Sequence, residues 1–110
     1  MADPRLGPLE ARVLDALWAR ACPGSVRDLQ PQFPAVAYTT LMTTLDRLHR
    51  KGVLVREKQG RAFVYSPRET RERFQAARLM SFFVDTVGEQ DLAVLDELER
   101  LIRERREEQS

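Results

Sequence analysis

Residues 37–52, AYTTLMTTLDRLHRKG, can gather their apolar side chains on one side only as a helix, and the opposite side is unusual. At about 100° per residue, Leu41, Leu45 and Leu48 fall in one narrow stripe, with Tyr38 at its edge. Thr39, Thr43, Asp46 and Arg50 lie opposite, flanked by Met42. Four threonines within six residues lower helix propensity, because β-branched side chains lose rotamer freedom against the preceding turn. Glu, Lys and Gln would serve an ordinary solvated face better. Short hydroxyl side chains giving way to basic ones suit close approach to a DNA groove. The segment reads as a recognition helix.

The flanking sequence supplies the scaffold for such a helix. Pro8 is a good first-turn residue, and a helix from there to about Ala21 aligns Leu9, Val13, Leu14, Leu17 and Trp18. Pro23-Gly24 ends it. Ser25 is a natural N-cap for a second helix, Val26 to about Gln32, which Pro31 should shorten or kink. Gly52 closes the third helix. The period then changes. Val53 to Lys58 and Arg61 to Ser66 are β-rich runs joined by Gln59-Gly60, with Lys58 and Arg61 beside the tip and Pro67 as a stop. Three short helices and a basic-tipped hairpin make a winged helix-turn-helix domain over residues 1–67. A core of that size contributes only about 3–5 kcal/mol, so support from elsewhere is expected.

Residues 68–110 read as two amphipathic helices, Arg68 to Val87 and Glu89 to about Glu107, interrupted by Gly88. The first carries Phe74, Met80, Phe82, Phe83, Val84 and Val87; the second carries Leu92, Leu95, Leu98, Leu101 and Ile102. Two helices with so much apolar surface cannot satisfy themselves as a lone hairpin, and self-association is the economical solution. The alternative is packing back on the chain's own first helix. The expected fold is mostly α with a small β-hairpin, a winged helix-turn-helix domain followed by C-terminal dimerisation helices.

Charge follows the same division. The net charge of +1 hides +4 on residues 1–67 and −3 on residues 68–110, and residues 47–61 carry six cations against Glu57 alone. Cys22 is the only cysteine, which excludes an intrachain disulfide, and with His49 as the only histidine no metal centre or cofactor is expected. No Gly-rich phosphate loop or nucleophile elbow is present, so an enzyme is not expected. With no signal-peptide layout and no apolar run of membrane-spanning length, a cytoplasmic protein without membrane partners is expected.

These residues have distinct expected roles on DNA. The major groove shows each base pair as a distinct donor and acceptor pattern, and Thr39, Met42 and Thr43 lie near the helix end that usually approaches it. Tyr38, Thr40, Arg47, Arg50 and Lys51 suit phosphates at the groove margins. Ser25, at the second helix N-terminus, suits another. Lys58 and Arg61 would track the backbone or enter the adjacent minor groove. Asp46 either accepts from a cytosine amino group or orients Arg50 or Arg47; Arg56 serves the hairpin's own structure. A competing reading is a winged-helix protein-interaction module with an idle threonine face.

The order of these motifs resembles the BlaI/MecI/CopY family of bacterial winged-helix repressors. The resemblance rests on Leu9-Glu10 through Leu17-Trp18, Ser25-Val26-Arg27-Asp28, Ala37-Tyr38-Thr39-Thr40, Leu45-Asp46-Arg47-Leu48, Arg50-Lys51-Gly52 and Gly60 to Pro67. It implies a homodimeric repressor on a palindromic double-stranded operator, with Thr39, Met42 and Thr43 reading bases and the C-terminal helices holding the dimer. Its β-lactamase branch implies a sensor protease, or another inducer, as a further partner. The chain departs from the family in three ways. It lacks the cysteine cluster of the copper-sensing branch, has Phe82-Phe83 without the Asn of the Asn-Phe cleavage pair, and looks shorter between Pro67 and Phe83.

Overall fold

The computed structural model describes residues 5–88 and 91–109. Its elements are α1 (Pro8–Ala19), α2 (Val26–Leu29), a 3-10 turn (Gln30–Gln32), α3 (Tyr38–Arg50), β1 (Leu54–Gln59), β2 (Ala62–Pro67), α4 (Arg71–Val87) and α5 (Leu92–Gln109). The mostly α architecture with one antiparallel hairpin is the expected fold class. Glu89, the expected start of the last helix, lies outside the described residues.

Local chemistry sets the boundaries. Pro8 occupies the first turn of α1, while the Gly7 N–H donates to Glu10 Oε1 at 3.1 Å. Ser25 and Asp28 cap α2 reciprocally: the Asp28 N–H donates to Ser25 Oγ at 3.1 Å and the Ser25 N–H to Asp28 Oδ2 at 2.9 Å. Proline at position 31 cannot donate an amide, and the chain tightens there into the 3-10 turn. After α3, Gly52 adopts a φ of +79° and the Val53 N–H reaches back to the Leu48 carbonyl at 3.1 Å. Only glycine takes that left-handed position without strain.

The hairpin pairs Leu54 with Pro67 through to Gln59 with Ala62, so its two-residue turn is Gly60-Arg61, one residue beyond the expected Gln59-Gly60. Gly60, at φ +62°, takes the first central position. Tyr65 also exchanges two backbone hydrogen bonds with Gly24, at 2.8 and 2.9 Å, which ties the wing to the turn after α1.

The core lies where α1, α2, α3 and the hairpin converge. Val13, Leu14, Leu17, Leu29, Phe33, Leu41, Leu45, Leu48, Leu54 and Tyr65 are buried there. Phe74 of α4 joins them, which corrects its expected place in a dimer interface. Its ring meets Trp18 edge-on, with centroids 5.4 Å apart, and Trp18 Nε1 donates to the Glu69 carbonyl at 2.9 Å. The first turns of α4 therefore belong to the winged body, the fold-back alternative realised over one short stretch. Beyond it the tail projects. The radius of gyration is 17.6 Å, against about 13 Å for a compact chain of this length.

Candidate nucleic-acid interface

Burial on α3 separates its two faces. Leu41, Leu45 and Leu48 are buried, whereas Thr39, Thr40, Met42, Thr43, Arg47 and Arg50 are exposed. Tyr38, read from the wheel as an edge residue, is half exposed and available to a ligand. Thr44 is different from the other threonines. It is buried, and its hydroxyl donates to the Thr40 carbonyl at 2.7 Å, so it satisfies the helix rather than a partner.

Electrostatics polarise the same helix. The first turn of α3 has neither a side-chain cap nor an acid, whereas the first turns of α1, α2 and α4 hold Glu10, Asp28 and Glu72. Its free N–H groups and the positive end of its dipole are left to an external anion. The last turn carries Arg47, His49 and Arg50. At the tip of the wing, Lys58 and Arg61 are both exposed. Thr39, Met42 and Thr43 thus occupy one exposed flank, with cations at its far end and on the neighbouring wing.

Three residues expected at phosphates, Lys51, Ser25 and Arg50, have partners within the fold. The Lys51 ammonium straddles the Glu10 carboxylate at 2.8 and 3.0 Å and donates to the Arg5 carbonyl at 2.6 Å. It locks the end of α3 to the start of α1, so its ammonium is already paired within the fold although the residue is exposed. Burial raises the pKa of Glu10, but the Lys51 and Gly7 hydrogen bonds, with the charges of Lys51 and Arg47, outweigh it and leave the carboxyl below its ordinary value. Ser25 is likewise engaged within the fold. Its N–H donates to Asp28 and its hydroxyl oxygen accepts from the Asp28 N–H. Asp28 stands at that helix end with its pKa lowered, chiefly by the Ser25 N–H. A carboxylate there repels phosphate.

Asp46 is paired with two cations. Its Oδ2 lies 3.0 Å from Arg50 Nε and its Oδ1 lies 3.3 Å from Arg56 Nη1. Arg47 does not take part. The Arg56 guanidinium stacks 4.2 Å above the Phe63 ring, so this arginine does serve the hairpin. The link from Asp46 to Arg56 spans ten residues and two elements, and no periodicity could have disclosed it.

In the tail, Met80, Phe82, Val87, Leu92, Leu101 and Ile102 are exposed, whereas Phe83, Val84, Leu95 and Leu98 are partly covered. An open groove between α4 and α5 is lined by Phe83, Ala93, Val94, Glu97, Leu98 and Leu101. Val94 is an addition to the residues expected there. Among the described residues no helix is long and apolar enough to cross a membrane, and no three metal-ligating side chains cluster. Cys22 is exposed.

The penicillinase repressor family matches this sequence over residues 6–105. The chain belongs to that family. The chain is thus a DNA-binding transcriptional regulator of winged-helix type and not an enzyme. It is also similar to the transcriptional regulator BlaI of Mycobacterium tuberculosis, in strains CDC 1551 / Oshkosh and ATCC 25618 / H37Rv. Each is 33% identical over 102 residues, covering 88% of this chain and 74% of the relative. The match runs through α3, the wing and most of the tail, so it covers both the winged body and the projecting helices.

Proposed function

We infer that this repressor binds a two-fold symmetric operator as a homodimer and acts in the cytoplasm, where its DNA lies. Thr39, Met42 and Thr43 enter the major groove, the two threonine hydroxyls bonding base edges and the methyl groups of all three meeting thymine methyls. Tyr38, Thr40, Arg47 and Arg50 hold flanking phosphates, and Lys58 and Arg61 track the backbone beside the wing. The observation that carries this reading is the exposed Thr39–Met42–Thr43 flank on a helix whose first turn has no acid.

The second copy is expected on the tail. Phe82 is 70% exposed and Leu92 64% exposed, and such apolar surface beside an open groove favours association. Pairing two heads multiplies the weak affinity of each half-site. Loss of pairing, through a sensor protease or another inducer acting on the tail, releases the DNA for the same reason.

Selection from a random duplex library, followed by titration at moderate salt, tests the reading. A symmetric site with half-sites one helical turn or a multiple apart is expected, bound at least a thousandfold more tightly than random DNA. Equal affinity for both would leave the threonine face without a role and favour a protein-interaction module.

A further inference from the structure

We propose that Asp46 is a positioning residue for DNA binding, joining the recognition helix to the wing through Arg50 and Arg56. The inference rests on the operator-binding reading above and adds a residue that, by charge alone, should oppose it. An acid on a DNA-facing surface repels phosphates. Here each carboxylate oxygen holds a different cation, Arg50 on α3 at 3.0 Å and Arg56 on β1 at 3.3 Å.

The two contacts do different work. Arg50 uses Nε toward Asp46, and its side chain is 78% exposed, so both terminal amino groups lie at the open end of the guanidinium. A flexible arginine is thereby held in one orientation before DNA arrives, which lowers the entropic cost of fixing it at a phosphate. Arg56 is more enclosed, and its stack on Phe63 carries the connection onto β2. Asp46, Arg56 and Phe63 therefore tie one turn of α3 to both strands of the wing. That tie sets how far Lys58 and Arg61 stand from the groove that Thr39 and Thr43 enter. Ion pairs this exposed contribute little to folding, so the bridge has more to offer as a register than as a staple.

Titrating the full-length protein and its Asp46→Asn variant against the selected operator and random DNA over a range of salt distinguishes the two signs. Positioning requires about tenfold weaker operator binding. It also requires a salt slope about one unit flatter per half-site and random-DNA affinity equal to or above the original, with the melting temperature kept. Adding Arg56→Gln to the variant should cause little further loss, although Arg56→Gln alone weakens operator binding. Operator affinity that is unchanged or higher in Asp46→Asn overturns the proposal. So do losses from the two substitutions that simply multiply. If the unsubstituted protein itself prefers no sequence, the operator reading fails and the proposal falls with it.

Discussion

Trp18 and Phe74 sit edge to face across the junction between the winged body and its projecting helix, with planes inclined at 60°. The indole N–H is held by the Glu69 carbonyl, and Arg71 lies over the same ring while approaching Asp15 at 3.6 Å. This cluster fixes the direction in which α4 leaves the head. Phe74→Ala should cost about 3 kcal/mol, within the range for a buried aromatic, and lower the melting temperature by at least about 10 °C. Calorimetry checks the size of the loss. An effect limited to dimer affinity would return Phe74 to the interface.

Glu10 and Lys51 give the fold a defined response to acid. The folded-state pKa of Glu10 lies below its ordinary value of 4.5, so its ion pair stabilises the fold above that value. The contribution disappears as pH falls through the lowered folded value. Glu10→Gln should lose about 1–2 kcal/mol at pH 7 and show a flatter dependence below pH 5. Thermal melts from pH 7 to pH 3 measure both. Parallel curves for the two proteins would rule out the linkage.

Lys58 and Arg61 are expected at phosphates rather than bases. Each changed to Ala should weaken operator and random DNA by similar factors and flatten the salt slope by about one unit per half-site. Loss confined to the operator, with the slope kept, would assign them to base readout instead.

Phe82 and Leu101 belong to the exposed face of the tail. Placing Glu at both should halve the mass seen by sedimentation while leaving the unfolding transition of the winged body intact. Operator affinity should then fall at least about a hundredfold, because each head binds alone. A mass unaltered by both substitutions would locate the dimer elsewhere.

The helices, the hairpin and the exposed threonine flank were legible because neighbours three or four apart share a helical face and alternate residues share a strand face. Proline 31 likewise marked the change to a 3-10 turn. Periodicity fails where two positions are equivalent by angle. Tyr38 and Thr44 lie at equal angles, about 60°, on either side of Leu41, yet Thr44 is buried and Tyr38 is not. Burial there depends on what packs against the helix, and a threonine can bond its own backbone. Contacts distant in sequence left no local trace either. Phe74 with Trp18, Lys51 with Glu10 and Asp46 with Arg56 each join separate elements. Ser25 is legible as an N-cap from its residue type, whereas the reciprocal bond that places the Asp28 carboxylate beside it is a matter of side-chain geometry.

The most direct measurement compares operator and random-DNA affinities for the double variant Thr39→Ala, Thr43→Ala. Alanine is the better helix former, so the fold is not weakened and any loss belongs to recognition. Thr44→Val is the internal control, since its hydroxyl bonds only the Thr40 carbonyl. The expected result is a ratio of operator to random affinity at least about tenfold lower in the double variant, with random-DNA binding and melting temperature kept. A ratio that stays the same would contradict the assignment of this flank to base reading.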